Sequence, residues 1–273
     1  DGIPQTLPDG QTQLDSIDPS LIERMDILRG PSASLYGNAS GGMIDITTRE
    51  APKEAFVIMP RQVIGQYGYL KSELFMGGSN GNVGYSVFGS HLQQNGWRDH
   101  SAMQNMFSQA KLNFRTSANS DLMLVFREFY SPLSKDPGAL TSTEIQADRR
   151  QASARNVQFN AGEEIRQEEI GMRFRNRFSA DKEFTATTYL LHRDFQNRQA
   201  FLEGGQVQFD RWVGGLMLQF VNDHILFQRP NRLLVGVDYG IQNDDRQRFD
   251  NNSGRRGTLN LSQIERVQSV GPF

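Results

Sequence analysis

The chain has 273 residues, a formal net charge of −2 and a pI of about 6.1, so no basic excess indicates a nucleic-acid partner. It contains no cysteine, which excludes disulfides, zinc–cysteine sites and a thiol nucleophile. The mean hydropathy is −0.55 and no stretch approaches the ~18 apolar residues of a transmembrane helix, but a transmembrane β-barrel gives the same result because only alternate residues face lipid.

The segment 21–37 predicts a strand, a tight turn and a single helical turn. Apolar residues alternate over 22–28, which is the period of a half-buried strand. Pro31 suits the first position of a short helix, and Gly37 suits the left-handed residue that ends one. A glycine pair follows, and the apolar residues of 43–46 predict a second strand.

These residues resemble the end of the plug domain of TonB-dependent outer-membrane receptors. In that family a strand of the form IERIEVLRGP leads to a Leu-Tyr-Gly turn, a glycine pair and a strand ending in a basic residue. The corresponding residues here run from Leu21 to Pro31, then Leu35-Tyr36-Gly37, and then Gly41 to Arg49. Upstream, Asp1-Gly2-Ile3-Pro4 and Ile17-Asp18-Pro19 resemble the family at matching distances. The resemblance covers residues 1–49.

Residues 50–54 are polar and contain a proline, and on this basis residues 50–60 are predicted to link two domains. The remaining residues, 61–273, predict about eight long strands. Tight-turn sequences alternate with longer connections, as in barrels that have short periplasmic turns and long extracellular loops. The turns are predicted at 80–82, 117–120 and 179–182, and the longer connections at about 95–102, 132–160 and 250–258.

The clearest strand pattern lies between Glu169 and Phe178. Apolar residues occupy one face and mostly charged residues the other, and the same pattern recurs at 106–115 and 233–244. Strands this long approach the length that crosses a bilayer at a tilt. Two further stretches, 122–130 and 184–193, alternate poorly and define no face. We predict that Ile170, Met172, Phe174 and Phe178 face lipid, and that Glu169, Arg173, Arg175 and Arg177 face the lumen.

The predicted fold class is therefore all-β, with a small α content in the plug. Residues 1–49 would form the second half of a globular plug domain, 50–60 a linker, and 61–273 the N-terminal part of an antiparallel transmembrane β-barrel. Because large plugged barrels have ~22 strands, we expect the chain to be a fragment of a longer receptor.

Two charged residues of the plug strand are assigned by the resemblance alone. In the family, the glutamate and arginine of the IERIEVLRGP element are typically tied to the inner barrel wall, which implies a plug–barrel contact for Glu23 and Arg29. Their partners are expected beyond residue 273. The alternative is that both are ordinary strand charges that meet solvent inside the barrel.

Three places are candidates for contact with a ligand. The loop 5–13 corresponds by resemblance to a plug apex that faces the cargo, and amide and carboxylate groups there could bind a polar chelate. Trp97 beside Arg98 could stack on and pair with an anionic aromatic ligand, although a tryptophan of the interfacial girdle is the commoner case. A generic turn is the alternative for the loop 5–13. In the long connection, Arg149 and Arg150 could attract an anionic chelate, and solvated loop charges are the alternative there. The candidate residues are Asp9, Gln11, Gln13, Trp97, Arg98, Arg149 and Arg150.

Nothing in the sequence indicates an enzyme. The glutamate pairs 163–164 and 168–169 would point to opposite faces of a strand, so their carboxylates do not converge. The four histidines show no metal-binding spacing, and neither a nucleophile elbow nor a phosphate loop occurs. We predict no catalytic residues, no metal ligands and no cofactor.

The resemblance implies a receptor in the outer membrane of a Gram-negative bacterium that imports a ferric siderophore or a related iron chelate. Its partners would be the chelate, outer-membrane lipid and the TonB energy-coupling complex, which would bind a segment absent from this sequence. The iron would stay in its chelate. The alternatives are the same architecture importing cobalamin, a sugar or a peptide, and a passive porin-like barrel, against which the plug residues argue.

Overall fold

A computed structural model describes residues 1–12, 14–30 and 41–273. The predicted helical turn at 31–37 and the candidate Gln13 therefore lie outside the described residues. A 3₁₀ turn, Pro19–Leu21, precedes the first strand. The strands are β1 Ile22–Arg29, β2 Gly42–Thr48, β3 Val57–Ile64, β4 Leu70–Asn80, β5 Val83–Gln94, β6 Met103–Arg115, β7 Ser120–Lys135, β8 Gly162–Ser179, β9 Lys182–Arg198, β10 Gln206–Leu226, β11 Arg229–Asn252 and β12 Arg255–Pro272; the helices are α1 Ser142–Ala147 and α2 Ala154–Gln158.

The strands form two antiparallel sheets. β1 and β2 pair with each other, and β3 to β12 form a ten-stranded sheet in which each strand pairs with its neighbours in the sequence. The larger sheet is open, with β3 and β12 at its edges. This confirms the predicted all-β, antiparallel class.

The sheet has ten strands where the sequence predicted about eight. One reason is that β3 begins at Val57, inside the stretch that we had predicted to be linker. The predicted long connection at 250–258 is also wrong. Ser253 and Gly254 alone join β11 to β12, and both have positive φ, which permits a tight hairpin turn. The boundaries of the predicted domains stay a prediction.

The connections of the large sheet differ in length between its two ends. At one end, which we call the turn end, they are short: 81–82, 116–119, 180–181 and 227–228. At the opposite end, which we call the loop end, they are 65–69, 95–102, 136–161, 199–205 and 253–254. The longest of these contains α1 and α2, two helices that the sequence did not predict.

One face of the sheet, which we call the inner face or the wall, packs against described residues of the segment 1–50, which we call the plug. Along β8 the side chain of Glu169 is 3% exposed on this face, whereas Ile170 on the outer face is 56% exposed. The predicted alternation of β8 is therefore confirmed, and contact of its outer face with lipid stays a prediction. The other two predicted alternations hold as well, since Lys111 and Asp244 are buried on the inner face.

The two stretches that alternate poorly carry apolar residues on both faces. In β7, Met123, Val125 and Phe129 are buried on the inner face, while Phe126 is exposed on the outer face. In β9, Leu191 is buried in the same way. Apolar side chains point inward here because they pack against the plug. The inner-face positions of these strands are therefore not polar, and the sequence shows no alternation.

Three aliphatic side chains of the plug, which we call the apolar anchors, make these contacts. Leu21 packs among phenylalanines of β4 to β7. Ile3 packs against Met123 and Val125, and Leu7 against Leu191 and Val213. Burial of one such side chain contributes roughly 1.5–3 kcal/mol. A β-carbon at Gly171 would lie 2.1 Å from Ile3 Cδ1, so a larger residue there would displace the end of the Ile3 side chain.

Among the residues that the structure describes, no helix combines the length and the hydropathy needed to cross a membrane.

Single cysteines placed on β8 of the full-length protein test the two faces. We expect Met172→Cys to be shielded from a water-soluble thiol reagent in intact outer membranes, because it faces lipid, and Arg175→Cys to react in the aqueous lumen. Labelling is measured by mass spectrometry, with the reaction in urea as the control. The reverse pattern would show that the register is wrong by one residue.

Candidate functional site

Basic side chains on five strands of the inner face bind carboxylates of residues 1–50. Most of these basic groups are shielded from solvent, so each needs a partner to be tolerated there. They occur on β4, β6, β7, β9 and β10, and together they fix the plug to half the sheet. The ion pairs are Lys71–Asp18, Lys111–Glu50, Arg127–Asp1, Arg193–Asp15 and Arg211–Asp9.

Both partners of the pair at Asp18 are largely buried. Lys71 Nζ lies 2.7 Å from Asp18 Oδ1 and 2.7 Å from Glu73 Oε1, and it also donates to Ser20 Oγ. Burial alone would raise the pKa of the Asp18 carboxyl, but hydrogen bonds from Lys71, Ser90 and the Ser20 amide hold it below its usual value. Asp18 also caps the 3₁₀ turn that presents the anchor Leu21.

A second group of contacts holds the end of the plug. Lys111 is fully buried, and its Nζ donates to Thr48 O at 3.0 Å and to Glu50 Oε1 at 3.1 Å. Arg127 bridges Asp1 Oδ2 at 3.0 Å and Glu169 Oε1 at 2.8 Å. The acceptors of Lys111 thus come from the plug, whereas Arg127 is shared between a plug carboxylate and a carboxylate of β8.

Two further pairs lie near the loop end. Arg193 donates to Asp15 Oδ2 and to Gln167 Oε1, both at 2.8 Å. Arg211 binds Asp244 through two hydrogen bonds of 2.9 and 2.6 Å, and its second carboxylate partner, Asp9, lies at 3.3 Å. At each arginine the wall supplies a buried acceptor, and the plug supplies a more exposed carboxylate.

The plug residues assigned by resemblance lie elsewhere. Glu23 Oε2 accepts from the Glu50 amide at 3.1 Å, and Arg29 is exposed at the end of β1. In the described ranges no ion pair joins either residue to the large sheet, so their plug–barrel role stays a prediction. The contacts around Asp9, Asp15 and Asp18 were missed. The sequence signal that could have indicated these contacts is the presence of lysine and arginine at inward-facing positions of the strands.

The three arginines that we predicted to line the lumen have different partners. Arg173 donates to the Asp1 carbonyl at 2.9 Å and so contacts the plug. Arg175 pairs with Asp121 and Arg177 with Glu183, both on neighbouring strands and both at 2.8 Å. Only the first of the three acts between plug and wall.

At the loop end, Arg98 joins two loops. Its guanidinium donates to the carbonyls of Pro137, Gly138 and Gln151 at 2.6 to 3.1 Å. Arg150 Nε donates to the Trp97 carbonyl at 3.2 Å. The candidates Trp97, Arg98, Arg149 and Arg150 thus lie in one loop assembly, with Trp97, Arg149 and Arg150 exposed. Their contact with a ligand stays a prediction.

Asn251 ties the other loops to this assembly. It is fully buried, and its amide donates to the carbonyls of Phe159 and Gln199 at 2.9 and 2.8 Å, while its oxygen accepts from the Gly254 amide at 2.8 Å. One side chain therefore links the connections 136–161, 199–205 and 253–254.

The plug loop 5–12 lies against β8, β10 and β11. Gln5 donates to Glu169, Asp9 accepts from Gln242 Nε2 at 2.9 Å, and Gln11 Oε1 lies 3.5 Å from Arg211. The structure thus brings the candidates Asp9 and Gln11 together beside Arg211. Across the described residues, no group of three or more histidine or acidic side chains is arranged to hold a metal ion.

Removal of the Asp18 contact should destabilise the plug locally. Asp18→Asn removes the charge paired with buried Lys71 and should cost about 3 kcal/mol, the lower end of the usual range because Glu73 remains beside the lysine. Hydrogen exchange at the Ser20 and Leu21 amides should accelerate on the order of 100-fold. Asp26→Asn, in the exposed pair with Arg24, is the control and should change little. Equal exchange in both variants would contradict the assignment.

The same contact predicts a pH dependence. Because the pKa of Asp18 is lowered in the folded protein, its stabilisation is fully present above the ordinary value of 3.8 and is lost as the pH falls below it. Wild-type protection at these two amides should therefore fall in acid, whereas protection in Asp18→Asn should not.

Comparison with known protein families and sequences gives matches to part of the chain. Residues 1–43 match the model of the TonB-dependent Receptor Plug Domain. A hemin receptor of Yersinia enterocolitica is 39% identical over 90 residues, which are 33% of this chain and 12% of that receptor. Receptors of this family are outer-membrane β-barrel proteins and not enzymes.

Solved structures resemble the whole chain. The unliganded ferric citrate transporter FecA gives a TM-score of 0.78 at 20% identity, over 98% of this chain and 42% of that one. The pyoverdine outer membrane receptor FpvA from Pseudomonas aeruginosa PAO1 gives 0.72 at 13% identity, over 94% and 43%. The chain spans less than half the length of the proteins that it matches. The first residues of the chain thus match a TonB-dependent receptor plug domain, and the fold of the whole chain resembles that of the two solved structures.

Proposed function

We propose that the full-length protein imports an iron chelate across the outer membrane in a TonB-dependent manner. The observation that supports this most directly is the plug itself, which is fixed to the inner face of the sheet by five ion pairs and three apolar anchors. A plug held in this way closes the pore at rest. Import then requires work on the plug, which a passive porin does not need.

The chemistry of the loop end favours an anionic cargo. Arg149, Arg150 and Arg155 are exposed on the longest loop, and forked guanidinium groups bind carboxylate-type anions well. The similar proteins are described as receptors for hemin, ferric citrate and pyoverdine. We therefore propose a ferric siderophore or a related iron chelate, bound without direct ligation of iron by the protein. Cobalamin, a sugar or a peptide is the alternative.

The partners follow from the same proposal. The TonB complex would bind an extended segment that precedes the plug, by addition of a strand. The outer face of the barrel would contact outer-membrane lipid, since Ile170, Leu190 and Leu216 are exposed there. Glu23 and Arg29 are proposed to bind the part of the barrel wall opposite β4 to β10.

Uptake of radiolabelled iron tests the function. Cells that carry the receptor gene should take up ⁵⁵Fe from ferric citrate, hemin or a siderophore panel, and deletion of either the receptor or the energy-coupling protein should abolish uptake of one of them. A strain complemented with the receptor is the control. Uptake that persists without the energy-coupling protein would refute the proposal.

An epitope tag tests the orientation. The loop 136–161 is proposed to be extracellular, so a tag inserted beside Ser142, at the exposed start of α1, should bind antibody on intact cells. A tag in the turn 180–181 is the matched control and should be reached only after the outer membrane is opened. Detection of the second tag alone on intact cells would invert the topology.

A further inference from the structure

Two wall arginines near the loop end are each shared between a wall acceptor and a plug carboxylate. Arg211 holds Asp244 by two short hydrogen bonds, and Asp9 is its more distant partner at 3.3 Å. Arg193 holds Gln167, and Asp15 is its partner from the plug. The wall acceptors are buried, whereas the side chains of Asp9 and Asp15 are 18% and 39% exposed.

Two of the three remaining plug carboxylates differ in this respect, whereas Glu50, the third, is 56% exposed. Asp18 and Asp1 are 7% and 2% exposed, and they lie next to the apolar anchors Leu21 and Ile3. Displacement of these carboxylates would require removal of the anchors. Asp9 and Asp15 instead can be replaced on their arginines while Leu7 and Leu21, on either side of them in the sequence, stay packed.

The arginines themselves are held rigidly. The guanidinium of Arg211 lies 4.7 Å from the ring of Phe209, and that of Arg193 lies 5.7 Å from the ring of Phe195. The two rings stack on each other at 4.9 Å. Loss of a plug carboxylate therefore leaves two fixed, forked donors in place, which is the arrangement that binds a carboxylate at low entropic cost.

Further donors extend from this point toward the loops. Arg246 and Arg248 follow Asp244 on the inner face of β11, and the Nε of each is buried without a hydrogen-bond partner. Arg246 pairs with Glu265 at 3.2 Å, while Arg248 has no ion pair among the described residues. An anion that enters from the loop end thus meets the Nε donors of Arg246 and Arg248 before it reaches Arg211.

We propose that the carboxylate-bearing cargo binds by anion exchange, in which its anionic groups replace Asp9 on Arg211 and Asp15 on Arg193. The replaced carboxylates release the adjoining plug loop, while the apolar anchors keep the plug in the barrel. Occupancy is thereby converted into a local loosening of the plug. This inference rests on the proposed function, because it assumes that an anionic chelate enters at the loop end.

The affinity of the purified full-length receptor for anionic chelates tests the exchange. The probes are ferric citrate and hemin, and a neutral ferric trihydroxamate is the uncharged comparison. Asp9→Asn removes the competing charge, so its affinity for an anionic probe should rise about three- to tenfold, and that of Asp15→Asn should rise less because Asp15 is more exposed. Asp26→Asn, a plug variant outside these pairs, should match the wild type.

Mobility of the plug loop provides a second measurement. A spin label on Leu14→Cys, an exposed position beside the exchanging residues, should become more mobile when the wild type is saturated with the anionic probe. In Asp9→Asn the label should already be mobile without probe. A general folding defect would lower affinity, so a gain in affinity together with early mobility is specific to exchange.

Three results would overturn the inference: unchanged or weaker anion binding in Asp9→Asn, an immobile label in the saturated wild type, or binding of the neutral chelate alone. If iron uptake still depends on the energy-coupling protein in any of these cases, only the exchange is refuted. Uptake that does not depend on it refutes the proposed function.

Discussion

The structure depends on the pairing of cations on an otherwise enclosed wall with carboxylates of the plug. Lys111 is fully buried, and Lys71 and Arg127 are nearly so, and an isolated charge in such a place costs several kcal/mol. Residues 1–50 supply the missing negative charges and carbonyl groups. Plug and wall therefore stabilise each other, and neither surface is complete alone.

The apolar contacts and the ion pairs between plug and wall have different roles. Leu21, Ile3 and Leu7 fill pockets between strands and fix the depth of the plug. The ion pairs fix its orientation, because each carboxylate must meet one particular strand. Polar pairs of this kind can exchange partners at little net cost, whereas withdrawal of a buried leucine forfeits its full transfer free energy. This contrast permits local loosening of a plug that stays in place.

The connections at the loop end are held together by side chains that donate hydrogen bonds to main-chain carbonyl groups. Arg98 and Asn251 bind carbonyl groups of separate connections, so the loops form one assembly although their side chains are mostly polar and exposed. Because carbonyl groups occur at every residue, neither side chain has a sequence signature. The structure shows Arg98 in this bracing role, where the sequence suggested contact with a ligand.

The sequence by itself determined the β class, the faces of strands such as 169–177, and the identity of the plug, since a period of two and a run of motif residues are local properties. It did not determine the count of strands, because the Ser253-Gly254 turn lies in a polar stretch that resembles a loop, and β3 follows a polar segment and contains Pro60. Only the tertiary structure decided that Asp9 meets Arg211 and that Met123 and Leu191 point inward. The physical reason is that partners some 200 residues apart are selected by the fit of plug to wall, which no local pattern records.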